Sequence, residues 1–128
     1  MNVRDVILRE RQISMTEVLS IISFVYATSK EQILASMTKE LEETQFRDIE
    51  RYINERKNGK PLAYITEKKE FYSQEFYVDK NVLVPRPETE ILVEEALRIL
   101  GQKKNMENIL DMGTGSGAIG LTIAQRAQ

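Results

Sequence analysis

Asp111-Met112-Gly113-Thr114-Gly115-Ser116-Gly117 sets a carboxylate ahead of glycines at every second position. The apolar pair Ile109-Leu110 precedes it, and Ala118-Ile119-Gly120 follows at the start of a helix-like segment. Glycines 113, 115 and 117 let the backbone take positive φ and pass close to a ligand with no Cβ in the way. A helix beginning near Ala118 presents unsatisfied N–H groups at its first turn. An acidic residue at the end of a short apolar strand sits at the carboxyl edge where open α/β sheets bind their ligands. Together these residues have the form of the first strand-to-helix turn that grips a nucleotide-type cofactor.

Several ligands fit that form. Gly115-Ser116-Gly117-Ala118-Ile119-Gly120 matches the dinucleotide pattern G-x-G-x-x-G, but that site also wants an acidic ribose partner ~20 residues further on. No Gly-Lys-Ser/Thr follows, which argues against a phosphate-binding loop of the nucleotide triphosphatases. A plain turn is the remaining reading. Three glycines within five residues cost up to ~1 kcal/mol each relative to alanine in regular structure, which a connection without a ligand rarely needs.

The sequence contains no cysteine and no histidine. Disulfides, thiolate chemistry, histidine acid–base catalysis and Cys/His zinc sites are thereby excluded, and no metal ligand set is expected. Eighteen basic residues against 20 acidic ones give a net charge of -2. With no basic excess, direct nucleic-acid binding is not expected. At 41% hydrophobic and 30% charged, the composition is that of a soluble globular protein. No apolar run approaches a membrane span and the first residues are not a secretory signal, so a cytoplasmic location is expected.

The elements that must hold the glycine loop fall into three stretches. Residues 1–58 read as a helical domain. Val3, Val6, Ile7 and Ile13 lie in a first segment. Ser14 or Thr16 caps a second helix with Val18, Leu19, Ile21, Ile22, Val25 and Tyr26. Ser29 and Gln32 form a capping box for a third helix, with Ile33, Leu34 and Met37 on its apolar side. A fourth helix runs from about Glu42 to Lys57, with Phe46, Ile49, Tyr52 and Ile53 inward, and Asn58-Gly59 stops it. Residues 59–86 read as a β-hairpin linker: Leu62–Phe71 and Glu75–Val84 are the strands and Tyr72-Ser73-Gln74 lies between them. Each proline of Val84-Pro85-Arg86-Pro87 keeps the residue before it extended. Residues 87–128 begin with a helix. Pro87 is in its first turn, Ile91, Leu92, Ala96, Ile99 and Leu100 form its apolar face, and Gly101 ends it. A polar connector over Lys103 to Asn108 leads to a short buried strand at Ile109-Leu110, the glycine loop, and a helix over Ala118 to Ala127.

Asp-x-Gly-x-Gly-x-Gly after a strand resembles motif I of the class I methyltransferases that use S-adenosyl-L-methionine. A second run, Leu83-Val84-Pro85-Arg86-Pro87-Glu88-Thr89-Glu90, has Glu88 at 23 residues before Asp111. With Pro61-Leu62-Ala63-Tyr64-Ile65 and Glu70-Phe71-Tyr72, it resembles the HemK/PrmC family, protein-(glutamine-N5) methyltransferases that act on peptide chain release factors. The resemblance covers the whole chain and implies an α+β fragment. Its parts are a small N-terminal helical bundle, a β-hairpin linker, and the first β-α unit of a class I, Rossmann-like methyltransferase domain.

The resemblance also implies roles. Asp111, Gly113, Thr114, Gly115, Ser116 and Gly117 bind S-adenosyl-L-methionine, the aspartate by attraction to its α-amino group. Arg86, Pro87, Glu88 and Thr89 line the cofactor or substrate side of the pocket. The partner is a peptide chain release factor. One departure is Glu67, where the family usually has glycine; if that glycine serves a positive-φ turn, Glu67 strains it. The family's Asn-Pro-Pro-Tyr motif does not occur, since Pro61, Pro85 and Pro87 are the only prolines. No catalytic residue is therefore assigned, and the chain is expected to be a truncated, inactive part of such an enzyme. Three alternatives stand beside this reading: a non-catalytic helical module that docks on a release factor, a methyltransferase of the same class acting on a ribosomal protein or DNA, and a dinucleotide-binding fragment.

Overall fold

The computed structural model describes residues 1–102 and 108–127, and the chain divides into two compact units, Met1–Thr66 and Glu67–Gln128. The first is all helix: α1 (Val3–Arg9), α2 (Met15–Val25), α3 (Lys30–Ala35), α4 (Glu43–Lys57) and α5 (Leu62–Thr66). Three of these helices start on a capping box, in which Asn2, Ser14 and Ser29 accept from the N–H of Asp5, Glu17 and Gln32, whose side chains reach back to the cap. The end of α4 is as local. Gly59 takes φ +92°, its N–H donates to Arg56 O at 3.0 Å, and the Lys60 N–H donates to Glu55 O at 3.1 Å. Those two bonds satisfy carbonyls that the helix itself leaves open.

The core of this unit is aliphatic: Val6, Val18, Ile21, Ile22, Ile49, Ile53 and Ile65 are all buried. Two sequence expectations are corrected here. Helix α3 stops at Ala35, so Met37 lies beyond it, though it still packs against the core, and Leu34 faces solvent while Ile33 is fully buried. Leu62–Thr66 is a helix and not the start of a strand. Pro61 accepts from the N–H groups of Tyr64 and Ile65, and the Thr66 hydroxyl donates to Leu62 O at 3.1 Å. The turn of helix carries Ile65 into the core beside α2 and α4, and that burial outweighs the β-type alternation of Tyr64 and Thr66. The division between units falls after α5, between Thr66 and Glu67.

The second unit holds a two-stranded antiparallel sheet, β1 (Lys68–Phe71) against β2 (Gln74–Tyr77), with Phe71 opposite Gln74. Both strands are shorter than the sequence suggests. β2 ends at Tyr77, and just beyond it Asp79 accepts from the Asn81 N–H at 2.8 Å. The two-residue turn puts Tyr72 at φ +51° and Ser73 at φ +61°, the left-handed geometry that matches strand twist. Glu67, where the resemblance leads one to expect glycine, takes φ +56° at the junction of α5 and β1. A non-glycine residue there costs about 1–2 kcal/mol. Glu67→Gly is therefore expected to raise the thermal midpoint of the chain by a few degrees, about 1 kcal/mol of stability after the added chain entropy of glycine. An unchanged or lower midpoint in a differential scan contradicts that assignment.

Arg86 is extended (φ −96°, ψ 143°), Pro87–Thr89 form a single 3-10 turn, and α6 (Glu90–Gly101) and α7 (Ala118–Arg126) complete the unit. The core is Phe71, Phe76, Val93, Ala118 and Ile123, the two phenyl rings meeting edge to face at 6.2 Å between centroids. Helix α6 keeps Ala96 and Leu100 of the expected face inward, but the rest of that face is rotated. Val93, Ala96, Leu97 and Leu100 pack inward at helical spacing, while Ile91, Leu92 and Ile99 are exposed. The strand expected at Ile109-Leu110 is not formed, and Leu110 is 82% exposed. A strand needs a neighbour for its backbone groups, and none of the described residues supplies one there. The expected polar connector lies, apart from Asn108, outside the described residues.

Candidate functional site

Helix α7 sets the geometry of the glycine loop. Gly117 is its N-cap at φ +80°, with its N–H donated to Thr114 O at 2.9 Å and its carbonyl accepting from Leu121 N at 2.9 Å. A side chain at 117 would meet Leu121 Cδ1 at 3.0 Å as well as the unfavourable φ. Gly113 and Gly115 also take positive φ, +71° and +57°, with nothing within 4 Å of where a Cβ would stand. Two left-handed glycines bordering open space leave bare backbone accessible to a ligand.

Asp111 braces this loop. Its Oδ2 accepts from the Thr114 hydroxyl and from the Gly120 N–H, each at 3.1 Å. Both bonds fall on one oxygen; among the described residues Oδ1 has no partner. The carboxyl is half-buried, while Thr114 and Gly115 are exposed and Ser116 is half-buried. The structure thus brings the six loop residues read from the sequence into one bend around Asp111. One residue was missed. A Cβ on Gly120 would stand 2.9 Å from Asp111 Oδ2, so the carboxylate lies over uncovered backbone at the first turn of α7. The third glycine of G-x-G-x-x-G, which serves close approach to the helix, carried that signal.

The second run is placed differently. Arg86, Pro87 and Glu88 are exposed and Thr89 is half-buried. Among the described residues no hydrogen bond or ion pair joins the side chains of Arg86, Glu88 or Thr89 to the glycine loop. The residue of this run with a defined partner is Glu90, whose Oε1 accepts from the Tyr72 N–H at 2.8 Å. Met112 is 84% exposed beside Leu110, so the approach to the loop is apolar and uncovered on that side.

The helical unit has a groove of its own, about 290 Å³, between Val3, Tyr26, Ile33 and Leu41 with Gln32 and Lys39 at its rim. Among the described residues no group of His, Cys, Asp or Glu is arranged to hold a metal ion.

Comparison with known proteins bears on both units. Residues 7–66 match the family model of the PrmC N-terminal domain. The chain is 43% identical over 108 residues to a release factor glutamine methyltransferase of Clostridium acetobutylicum, an alignment covering 84% of this chain and 38% of that protein. It is 40% identical over 126 residues to the release factor glutamine methyltransferase of Borreliella burgdorferi, covering 97% of this chain and 44% of that protein. For the protein of the same name from Haemophilus influenzae the identity is 41% over 116 residues, covering 87% and 39%. The chain spans less than half the length of these curated relatives.

Proposed function

We propose, from the match of residues 7–66 to the family model of the PrmC N-terminal domain, that this chain is part of a methyltransferase for a glutamine side chain of a peptide chain release factor, with S-adenosyl-L-methionine as donor. The observation that carries the reading is the bend around Asp111: a half-buried carboxylate with one oxygen unbonded among the described residues, beside open backbone at Gly113 and Gly115. These features suit the methionine end of that donor. An ammonium group finds a carboxylate, and a chain of small cross-section finds a path without Cβ atoms. In this reading the loop and α7 open a class I methyltransferase domain, and Ile109-Leu110 become its first strand when neighbouring strands cover them.

Bound there, the donor supplies a methyl group on a positively charged sulfur. Asp111 would hold the donor's amino end, and the open backbone at Gly113 and Gly115 would leave room for its methionine part. Arg86, Pro87, Glu88 and Thr89 line the side from which the glutamine arrives. An amide nitrogen is a weak nucleophile because its lone pair is delocalised into the carbonyl. Catalysis of its methylation consists of orientation and of acceptors placed on its N–H groups, with no covalent enzyme intermediate. Those acceptors are the part of the family pattern that this sequence does not contain, so no catalytic residue is assigned within it. No described helix is long and apolar enough to cross a membrane, and the reading places the protein with its substrate in the cytoplasm.

Two measurements test the reading. A methyltransferase carrying this chain is expected to transfer labelled methyl from S-adenosylmethionine to glutamine of a release factor, and label on another acceptor alone overturns the substrate. The 128 residues by themselves are expected to show no saturable binding of S-adenosylmethionine in the micromolar range by titration calorimetry, since Leu110 and Met112 leave the loop unframed. Tight, stoichiometric binding overturns the claim that the loop cannot hold the donor unframed.

A further inference from the structure

Glu90 is the first residue of α6, and its carboxylate reaches the hairpin: Oε1 accepts from the Tyr72 N–H at 2.8 Å. Tyr72 is the first of the two left-handed residues in the turn. On its ring sits the guanidinium of Arg126, the last residue of α7, with Cζ 5.2 Å from the ring centroid. The next residue inward on α7, Gln125, bonds the side chain of Gln74 at the start of β2. One tight turn therefore touches the beginning of α6 and the end of α7. Tyrosine and serine do not settle into paired positive φ without outside support, because each carries a Cβ into the left-handed region. An isolated two-stranded hairpin has little stability either. The hairpin holds its shape here because α6 and α7 grip its tip, and it passes that constraint back to the residues joined to Glu90.

We propose that Glu90 is a positioning residue: by binding the Tyr72 N–H it fixes the start of α6 against the hairpin tip, and so fixes where Arg86–Thr89 stand. That these four residues line a pocket rests on the function proposed above. The bond between Glu90 and Tyr72 does not rest on it. Glutamine at 90 keeps an acceptor oxygen of the same reach, whereas alanine keeps none. A residue that met the ligand through its charge would show no such ordering, with glutamine as harmful as alanine.

The test compares Glu90→Ala and Glu90→Gln in the methyltransferase that carries this chain, at a temperature where circular dichroism shows each variant folded. Glu90→Ala is expected to lower kcat/KM for the protein substrate roughly tenfold or more, as misplacement of substrate-positioning groups does. Affinity for the cofactor, held through Asp111, should stay within about twofold. Glu90→Gln is expected to restore most of the lost kcat/KM. Equal damage by both variants, or a parallel fall in cofactor affinity, overturns the positioning role. If the unaltered protein transfers no methyl group, the functional reading fails by itself, and the strut is judged in the 128-residue chain by amide hydrogen exchange. There the Tyr72 N–H should lose protection in Glu90→Ala and regain it in Glu90→Gln. Unchanged protection in both overturns the strut.

Discussion

Asp111→Ala is expected, on the function proposed above, to weaken S-adenosylmethionine binding by about tenfold to a hundredfold in the proposed methyltransferase. Two losses combine. The carboxylate no longer offers a charged acceptor to the donor's amino group, an interaction of roughly 1.5–3 kcal/mol. The loop also loses its brace, because the Thr114 hydroxyl and the Gly120 N–H both donate to Oδ2. Asp111→Asn separates these losses. Its amide oxygen can still take the two internal bonds, but it carries no charge. An intermediate affinity is therefore expected for Asn, with kcat at saturating cofactor little changed in both variants, since the interaction is made before the methyl group moves. Calorimetric titration of the two variants decides the point. If Asn binds as tightly as Asp, the residue is a brace for the bend and not a ligand for the donor.

What could be foreseen here follows from the range of the forces involved. The capping boxes at Asn2, Ser14 and Ser29 are made within four residues of chain, as is the stop at Gly59. Signals of that reach are readable in a sequence; Ser29 with Gln32 was, and the helical first half with it. The glycine loop was legible for the same reason, since residue type alone permits the positive φ at 113, 115 and 117. Leu62–Thr66 was not, because its helix is decided by the burial of Ile65 against α4 and against α2, which lies far back in the chain. Helix α6 carries two apolar stripes, and its sequence cannot tell which one meets Phe71 and Ile123. The contact of Asp111 with Gly120 crosses nine residues and a bend, and that of Glu90 with Tyr72 crosses a turn, an extended segment and a 3-10 turn. No local periodicity encodes either. Glu67 is the converse case: a departure from the family pattern, readable in advance, that the fold tolerates in the strained conformation itself.

The largest stability effect is expected in the helical unit, from Ile49→Ala. Ile49 lies in the middle of α4, the longest helix there, and is 0% exposed. Its neighbours in the core are Val18, Ile21, Ile22 and Ile53, all held on helices whose ends are fixed by caps and by the bonds at Gly59. Such a frame cannot close readily around a lost side chain, so the cavity term adds to the transfer term and the cost is about 2–5 kcal/mol. A unit of this size has a small total stability, on the order of 5 kcal/mol, because it buries a small share of its surface. The substitution should therefore lower the midpoint of helix melting by more than about 10 °C, read at 222 nm in the intact chain. Ile49→Val removes one methylene and should cost about 0.5–1.5 kcal/mol. Leu34→Ala, on the outward face of α3, should stay within about 0.5 kcal/mol of the parent. That ordering separates packing from helix propensity, because alanine is the better helix former at both positions and propensity alone would make both alanine changes stabilising. If Ile49→Ala melts no earlier than Leu34→Ala, the core does not sit between α2 and α4.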